Sequence, residues 1–534
     1  MNLRCRIKPS WHGSGVRVLL AYFPRISLRS PPGNWRSTVR LSRLFLLAAL
    51  LAVSRTASAG DASAASSPFA QVTVDVNATV VKSFFGLGIQ WDPYEYPPRP
   101  AAWRLTLHRL DFARPAFFRV MTGARSYCDG FDTSGEPRYV WTQGEPAIRQ
   151  RLGSLFDILD YAQSHQIDVL LGEWAPPGRL GQSDNVPVAR PDDPRWARLV
   201  TDFVNWLRNR RGYTVVRFYN LMNEPNGSWM WPGGKVDYAA WAAGVRGLRQ
   251  QFDAQGLANL PIVGPDNSWD WEWADRVSRD LPDAIGAWEM HWYATDRDVL
   301  DGEIARVLDA KRKVILANDP RAAGKCFFMA EAGLLDGKCN GDQQPRVRTF
   351  AYGVLMADFA AQVAQAGWMG LCAWDLDDAM HTASGHPAVP VDTTLKLWGF
   401  WNTQGTAMGH PEDEAIRPWF CPWSLMSRLF PRNTRILGTT ITGAPNLRVL
   451  AGETAGQRQL AVMLVNPSTE ARSVRVVIPG LGRKSVRLYH YFDHDQPMDQ
   501  EGFAKPALEL PDTDLSAGLK VNLTGQGCVF VVAE

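Results

Sequence analysis

Two glutamates carry the chemistry that this sequence suggests. Glu224, in Asn223-Glu224-Pro225, follows the apolar stretch from Phe218 to Met222, and Glu331, in Ala330-Glu331-Ala332-Gly333, follows Phe327-Phe328-Met329. A buried carboxylate is costly to desolvate, so a glutamate closing an apolar run needs a use. Two such groups facing across a cleft are the minimum equipment for cleaving a glycosidic bond. One is held protonated to donate to the leaving oxygen, and the other is ionised to attack the anomeric carbon. Glu224 alone is also readable as a cap on the following helix. The small neighbours of Glu331 leave room for a ligand and favour the paired reading. Asn223 stands where it would hydrogen-bond a hydroxyl beside the scissile bond, and Pro225 fixes the turn after it.

These residues need elements to bring them together. Eight apolar runs recur along the chain: 84–92, 117–123, 167–174, 216–225, 260–267, 284–293, 326–333 and 367–378. Helical stretches lie between them, such as 149–165 with Leu152, Leu155, Phe156 and Leu159 on one face, and 194–210 with Trp196, Leu199, Phe203 and Leu207. Strand then helix at this cadence means a parallel sheet. Eight repeats fit a closed (β/α)8 TIM barrel better than an open doubly wound sheet, because no G-x-G-x-x-G follows a strand. Catalytic groups of such barrels gather at the C-terminal strand ends. Glu224 on the fourth strand and Glu331 on the seventh would then meet across the mouth. After a last helix over 416–430, short alternating strands between turn residues predict an antiparallel β-sandwich.

Asn223-Glu224-Pro225 on a fourth strand with a glutamate on a seventh resembles the clan A glycoside hydrolases, the 4/7 superfamily of retaining enzymes, nearest to families 5, 30 and 39. The resemblance covers 69–534. It implies Glu224 as acid/base, Glu331 as nucleophile, and Arg119 in Phe117-Phe118-Arg119-Val120 held against the nucleophile. It places His291 and Tyr293 of the sixth strand along the site, and Trp374 of the eighth as the floor of a sugar subsite. The sandwich after "SLMSRLFPRNTRILG" is similar to the end of family 30 barrels, whose side sandwich also borrows an N-terminal strand. Glu173 stands where family 5 members often carry a histidine; it is expected either to bind a sugar hydroxyl or to pair with an arginine. Asp375, Asp377 and Asp378 are expected to form an acidic loop rim rather than a calcium cage. Trp91, Trp174, Trp229, Trp231 and Trp271 are candidate sugar platforms as well as candidate packing residues.

Composition narrows the partners. The 534 residues have a nominal charge of +3, but residues 1–59 hold ten Lys/Arg and no acid; without them 47 basic face 54 acidic residues, a net of −7. That argues against nucleic acid. Within 1–59, Arg40 and Arg43 precede the apolar run Leu44–Val53, and Ala57-Ser58-Ala59 follows it: the order of a secretory signal, too short to span a bilayer. The expected layout is a leader over 1–59, a linker over 60–68, an N-terminal strand over 69–83 joining the sandwich, a barrel over 84–430 and a sandwich over 431–534. Six cysteines follow the leader, an even number that permits disulfides without assigning them; Cys326 and Cys339, which bracket Glu331, are one candidate pair. No Cys/His spacing resembles a zinc site, and no cofactor is needed. Asn226-Gly227-Ser228 matches the N-glycosylation pattern but would put a glycan in the cleft, so the match is read as accidental. The expected protein is a secreted β-glycoside hydrolase acting on a poly- or oligosaccharide. Its rival is a non-catalytic carbohydrate-binding protein on the same barrel.

Overall fold

The structure, a computed structural model, describes residues 70–178, 186–382, 395–454, 456 and 459–534. The expected leader, the linker and the first residue of the N-terminal strand lie outside the described residues.

Eight parallel strands close a barrel in chain order: Gly86–Gln90, Phe117–Thr122, Asp168–Glu173, Val216–Asn220, Ile262–Ser268, Ile285–Ala294, Phe327–Leu334 and Gly370–Ala373, the last pairing back to the first. Almost every strand residue is buried, because side chains point alternately into the barrel and onto the helix layer. The helices follow from their apolar stripes. Glu145–His165 buries Ile148, Leu152, Leu155, Phe156 and Leu159, and ends where Gln166 turns left-handed (φ 56°). Pro194–Asn205 starts at Asp193, whose carboxylate accepts from the Arg195 backbone N–H at 3.0 Å, and Pro194 suits the first turn. It runs on as a π turn through Arg210.

The N-terminal end of the barrel is stopped by phenylalanines. Phe85, Phe218 and Phe328 meet edge-on, with ring centroids 4.9–5.6 Å apart. Truncating Phe328 to alanine would open this plug at a cost of about 3–5 kcal/mol. The opposite, C-terminal end collects the polar residues.

Nine further strands make one strongly curled sheet beside the barrel. Its order is Leu508–Asp514, Arg483–Tyr491, Gly527–Ala533, Gln459–Asn466, Arg448–Thr454, Thr434–Thr442, Ala70–Phe84, Arg472–Val477 and Leu519–Leu523. Val72, Val74, Val462, Leu464, Val474, Val476, Val529 and Val531 share one core between its two halves. The pairings are antiparallel except one: Ala70–Phe84 runs antiparallel to Thr434–Thr442 but parallel to Arg472–Val477. The sandwich docks on the helix Phe350–Gln365, where Arg448 reaches the fully buried Asp358 at 3.2 Å and the Tyr491 hydroxyl donates to the Phe350 carbonyl at 2.9 Å. Cys326 is free, so the candidate Cys326–Cys339 pair is not made; their positions bracket the seventh strand rather than meeting. Among the described residues no helix is long and apolar enough to cross a membrane.

Candidate active site

The fourth strand ends at Asn220, so Asn223 and Glu224 lie on the loop beyond it rather than on the strand itself. That loop is pinned from three sides. The Asn223 N–H donates to the Glu173 and Trp174 carbonyls of the third strand at 3.0 and 3.2 Å. Glu224 to Gly227 form a turn closed by Gly227 N–H to Glu224 C=O at 2.8 Å, with Pro225 at its second position. The Asn226 amide both donates to the Ser268 carbonyl (2.6 Å) and accepts from the Ser268 N–H (3.0 Å), clipping the turn to the fifth strand. Its amide is thereby committed, in keeping with an accidental glycosylation match. Glu224 itself sits at φ 42°, a left-handed conformation a glutamate adopts only when its surroundings enforce it.

Glu331 approaches from the seventh strand. One carboxylate oxygen of Glu224 and one of Glu331 lie within 4.8 Å of each other, with a His291 nitrogen inside the same distance. Tyr293 donates its hydroxyl to Glu331 Oε1 at 2.5 Å, and Arg119 donates to Glu331 Oε2 at 2.7 Å. Burial pushes the Glu331 carboxyl above its ordinary range, against the pull of His291 and Arg119, while Glu224 adds to the rise. Arg119 is wholly buried and also donates to Gln90 Oε1 (3.0 Å), Asn223 Oδ1 (2.8 Å) and Asp266 Oδ1 (3.2 Å). Burial opposes its charge, but Asp266 and Glu331 hold it firmly cationic.

Beneath the glutamates lies a layer that the sequence reading missed. His291 Nδ1 is 3.2 Å from Glu224 Oε1, and its Nε2 contacts Asp266. Despite burial, Asp266 and Glu331 raise the imidazole well above its usual value, so it is cationic. Glu289, also buried, is raised well above the carboxylate range by burial and then by Asp266, so it is neutral. Glu289, His291 and Tyr293 alternate along one strand, and that period of two was the available signal for Glu289. Asp266 had only its position after an apolar run. Two carboxylate–histidine groups here, Glu224/His291/Glu331 and Asp266/Glu289/His291, have metal-like spacing. The positive charge a metal would supply already stands between them, on Arg119 and His291.

A cavity of about 540 Å³ opens above this layer, lined by Glu224 and Glu331 together with Asn223, Trp174, Tyr293 and Trp374. Trp374 stacks on His381 at 5.3 Å with nearly parallel rings, and Trp174 meets it edge-on at 6.3 Å. His381 is anchored by Asp92 at 2.8 Å. The structure thus brings together Glu224, Glu331, Asn223, Trp174, Tyr293 and Trp374 at the wall, with Arg119 and His291 behind it. The exposed Trp229 and Trp269, ring centroids 6.3 Å apart, line the cavity beside Glu224. Trp269 was not singled out from sequence. Trp91 and Trp231 are buried packing residues, and Trp271 packs on Trp292 at 4.7 Å.

Two expectations need correction. Among the described residues Glu173 neither lines the cavity nor meets an arginine. It is turned outward into the helix layer, accepting from Tyr127 (2.9 Å) and Thr122 (3.4 Å), and burial pushes its carboxyl up to about 8. Asp375, Asp377 and Asp378 are buried rather than an exposed rim. Asp378 pairs with Arg417 and accepts the Trp398 and Gly399 N–H groups at 3.0 and 2.7 Å. Asp377 accepts from Tyr94 and the Thr403 N–H. Among the described residues Asp375 has no hydrogen-bond partner, and it is held neutral, by burial first and then by its two acidic neighbours.

No family model matches the chain, and no curated protein matches its sequence. Its fold is shared with solved glycoside hydrolases of low identity. A GH30 endoxylanase from Clostridium papyrosolvens C71 is 14% identical with a TM-score of 0.60, over 87% of this chain and 100% of that one. A GH39 β-xylosidase from Caulobacter crescentus is 17% identical with a TM-score of 0.56, over 87% and 99%. An α-L-arabinofuranosidase from Thermotoga maritima is 13% identical with a TM-score of 0.57, over the same shares. At such identities the likeness shows the fold alone, a (β/α)8 barrel with an attached sandwich shared with solved members of families 30 and 39.

Proposed function

We propose that this protein is a secreted retaining β-glycoside hydrolase, with Glu331 as nucleophile and Glu224 as acid/base. The observation that carries the reading is the approach of the two carboxylates to within 4.8 Å at the barrel mouth, with Arg119 and Tyr293 both donating to Glu331. Retaining enzymes hold their carboxyls roughly 5–5.5 Å apart, and inverting ones about 6.5–9.5 Å apart to admit a water.

Glu331, oriented by two donors, attacks the anomeric carbon while Glu224 protonates the departing oxygen, giving a covalent glycosyl-enzyme. Glu224 then takes a proton from water, which attacks the same carbon and releases the sugar with its configuration kept. Arg119 binds Asn223 Oδ1 and so leaves the amide nitrogen for a sugar hydroxyl. Trp374 offers the sugar a flat apolar face. Trp229 and Trp269 stand on the leaving-group side.

The likenesses choose the substrates to try first: xylosides, xylans and arabinofuranosides, then other plant and bacterial polysaccharides. The test is hydrolysis of an aryl-glycoside and polysaccharide panel, with the anomer of the first product followed by NMR. A first-formed product of inverted configuration sinks the retaining mechanism. Silence of the wild type across the panel, with sugar binding intact, leaves the non-catalytic binding protein.

A further inference from the structure

The cavity wall on the Glu331 side carries a group that the proposed hydrolysis does not use. Lys338 and Lys396 flank Asp342, with Lys338 Nζ 2.6 Å from one carboxylate oxygen and Lys396 Nζ 2.9 Å from the other. All three line the cavity and keep between 27% and 37% of their side chains accessible. Each ammonium sits over a ring next to the nucleophile: Lys396 is 5.8 Å from the centre of Trp374, and Lys338 is 5.8 Å from that of Tyr293.

The charge balance makes this arrangement informative. Below the cavity, Arg119 and His291 are matched by Asp266 and Glu331, and Glu289 and Asp375 are neutral. Burial works against the Asp342 carboxyl, yet Lys396 and Lys338 hold it down to about 2, so it is an anion. Among the described residues of this group, two ammoniums against one carboxylate leave one positive charge beside Trp374 and Tyr293. Each ammonium has three N–H donors and spends one on Asp342, which leaves donors for a ligand. A partly desolvated cation beside a sugar floor is costly for a neutral sugar and favourable for an anionic one.

Building on the assignment of Glu331 as the nucleophile, we propose that the sugar bound over Trp374 is a uronic acid, its carboxylate held by Lys338 and Lys396. Among the described residues, those lining the cavity beside Glu224, Trp229 and Trp269 with them, include no such cation, so the anionic residue lies on the glycone side.

The experiment is calorimetric binding of D-glucuronate, D-galacturonate and D-mannuronate against D-glucose, D-galactose, D-mannose and glucose 6-sulfate. It uses the wild type, Lys396→Gln and Lys338→Gln in low and high salt. One uronate should bind about tenfold or more tighter than its neutral counterpart, with the advantage shrinking as salt rises. Each lysine variant should reduce that advantage about tenfold. The wild-type salt series decides the matter even if a variant fails to fold. Uronates that bind no better than neutral sugars, or do not bind at all, overturn the proposal, and tighter binding of glucose 6-sulfate than of every uronate overturns the carboxylate assignment. The outcome separates from the hydrolysis question: uronate preference without turnover would remove the hydrolase reading alone, and turnover of neutral aryl glycosides without uronate preference would remove only this one.

Discussion

Arg119 holds Glu331 and Asn223 with opposite ends of one guanidinium, Nη1 2.7 Å from the carboxylate and Nη2 2.8 Å from the amide oxygen. A single rigid fork on the second barrel strand therefore sets the distance between groups from the seventh strand and the fourth-strand loop. Arg119→Met would remove that fork and leave Glu331 and Asp266 buried with His291 as the one described cation between them. The expected loss is about 3–5 kcal/mol of stability, read as a lowered urea midpoint. An unchanged midpoint would show that the guanidinium is not the centre of this network.

Glu224→Gln and Glu331→Gln should each lower hydrolysis by about 10²–10⁴-fold while leaving the melting temperature near wild type. The two differ in rescue. Azide added to Glu331→Gly should give a glycosyl azide of inverted configuration, and added to Glu224→Ala one of retained configuration. The same anomer from both would refute the division of roles.

Tyr293→Phe removes the hydroxyl that helps hold the Glu331 carboxyl down. Burial already raises that carboxyl, and it must be ionised to attack. The acid limb of the kcat/KM profile should therefore lie above the ordinary glutamate range and move further up in the variant. A hydrogen bond to a charged group is worth about 1.5–3 kcal/mol, so the rate at the optimum should fall roughly 10–100-fold. An acid limb that stays put would argue that Tyr293 does not bear on the nucleophile.

Glu173 gives a stability signature apart from catalysis. Its carboxyl is raised from 4.5 to about 8 in the folded protein, burial being the first cause. The folded state then holds a proton that the unfolded chain gives up near pH 4.5. The associated stability is complete below that pH and is lost as the pH rises to about 8, amounting to a few kcal/mol. Glu173→Gln keeps the oxygen that Tyr127 needs and cannot ionise, so the fall in melting temperature between pH 5 and 9 should shrink. An identical fall in both proteins would mean that the side chain is hydrated.

How much of this was legible in the chain depends on the kind of signal. The barrel strands were readable because each is an apolar run bounded by turn residues, and Glu224 and Glu331 because a carboxylate closing such a run stands out. Asp266, Glu289 and the Lys338–Asp342–Lys396 group were not. Asp266 and Lys396 meet partners from other strands and loops, and the period of two at Glu289–Tyr293 and the four-residue step from Lys338 to Asp342 are too common along a chain to single out a site. Glu173 was misread for a related reason: it occupies a strand end, but the alternation of the strand turns it to the helix layer, where Tyr127 and Tyr219 surround it. Trp91 and Trp229 look alike in sequence, and only burial separates a packing ring from a platform.

The strand Ala70–Phe84 has a consequence for how the molecule comes into being. Ser83 bonds to Asn433, 350 residues further on, and the strand's two sheet neighbours begin at Thr434 and Arg472. During synthesis this valine-rich ribbon leaves the ribosome ahead of the barrel and waits, unpaired, until the barrel and the start of the sandwich have been made. A barrel fragment stopped at residue 430 would expose it as an open edge prone to self-association. The two halves are thus one indivisible unit of biogenesis, and the barrel is not a portable module.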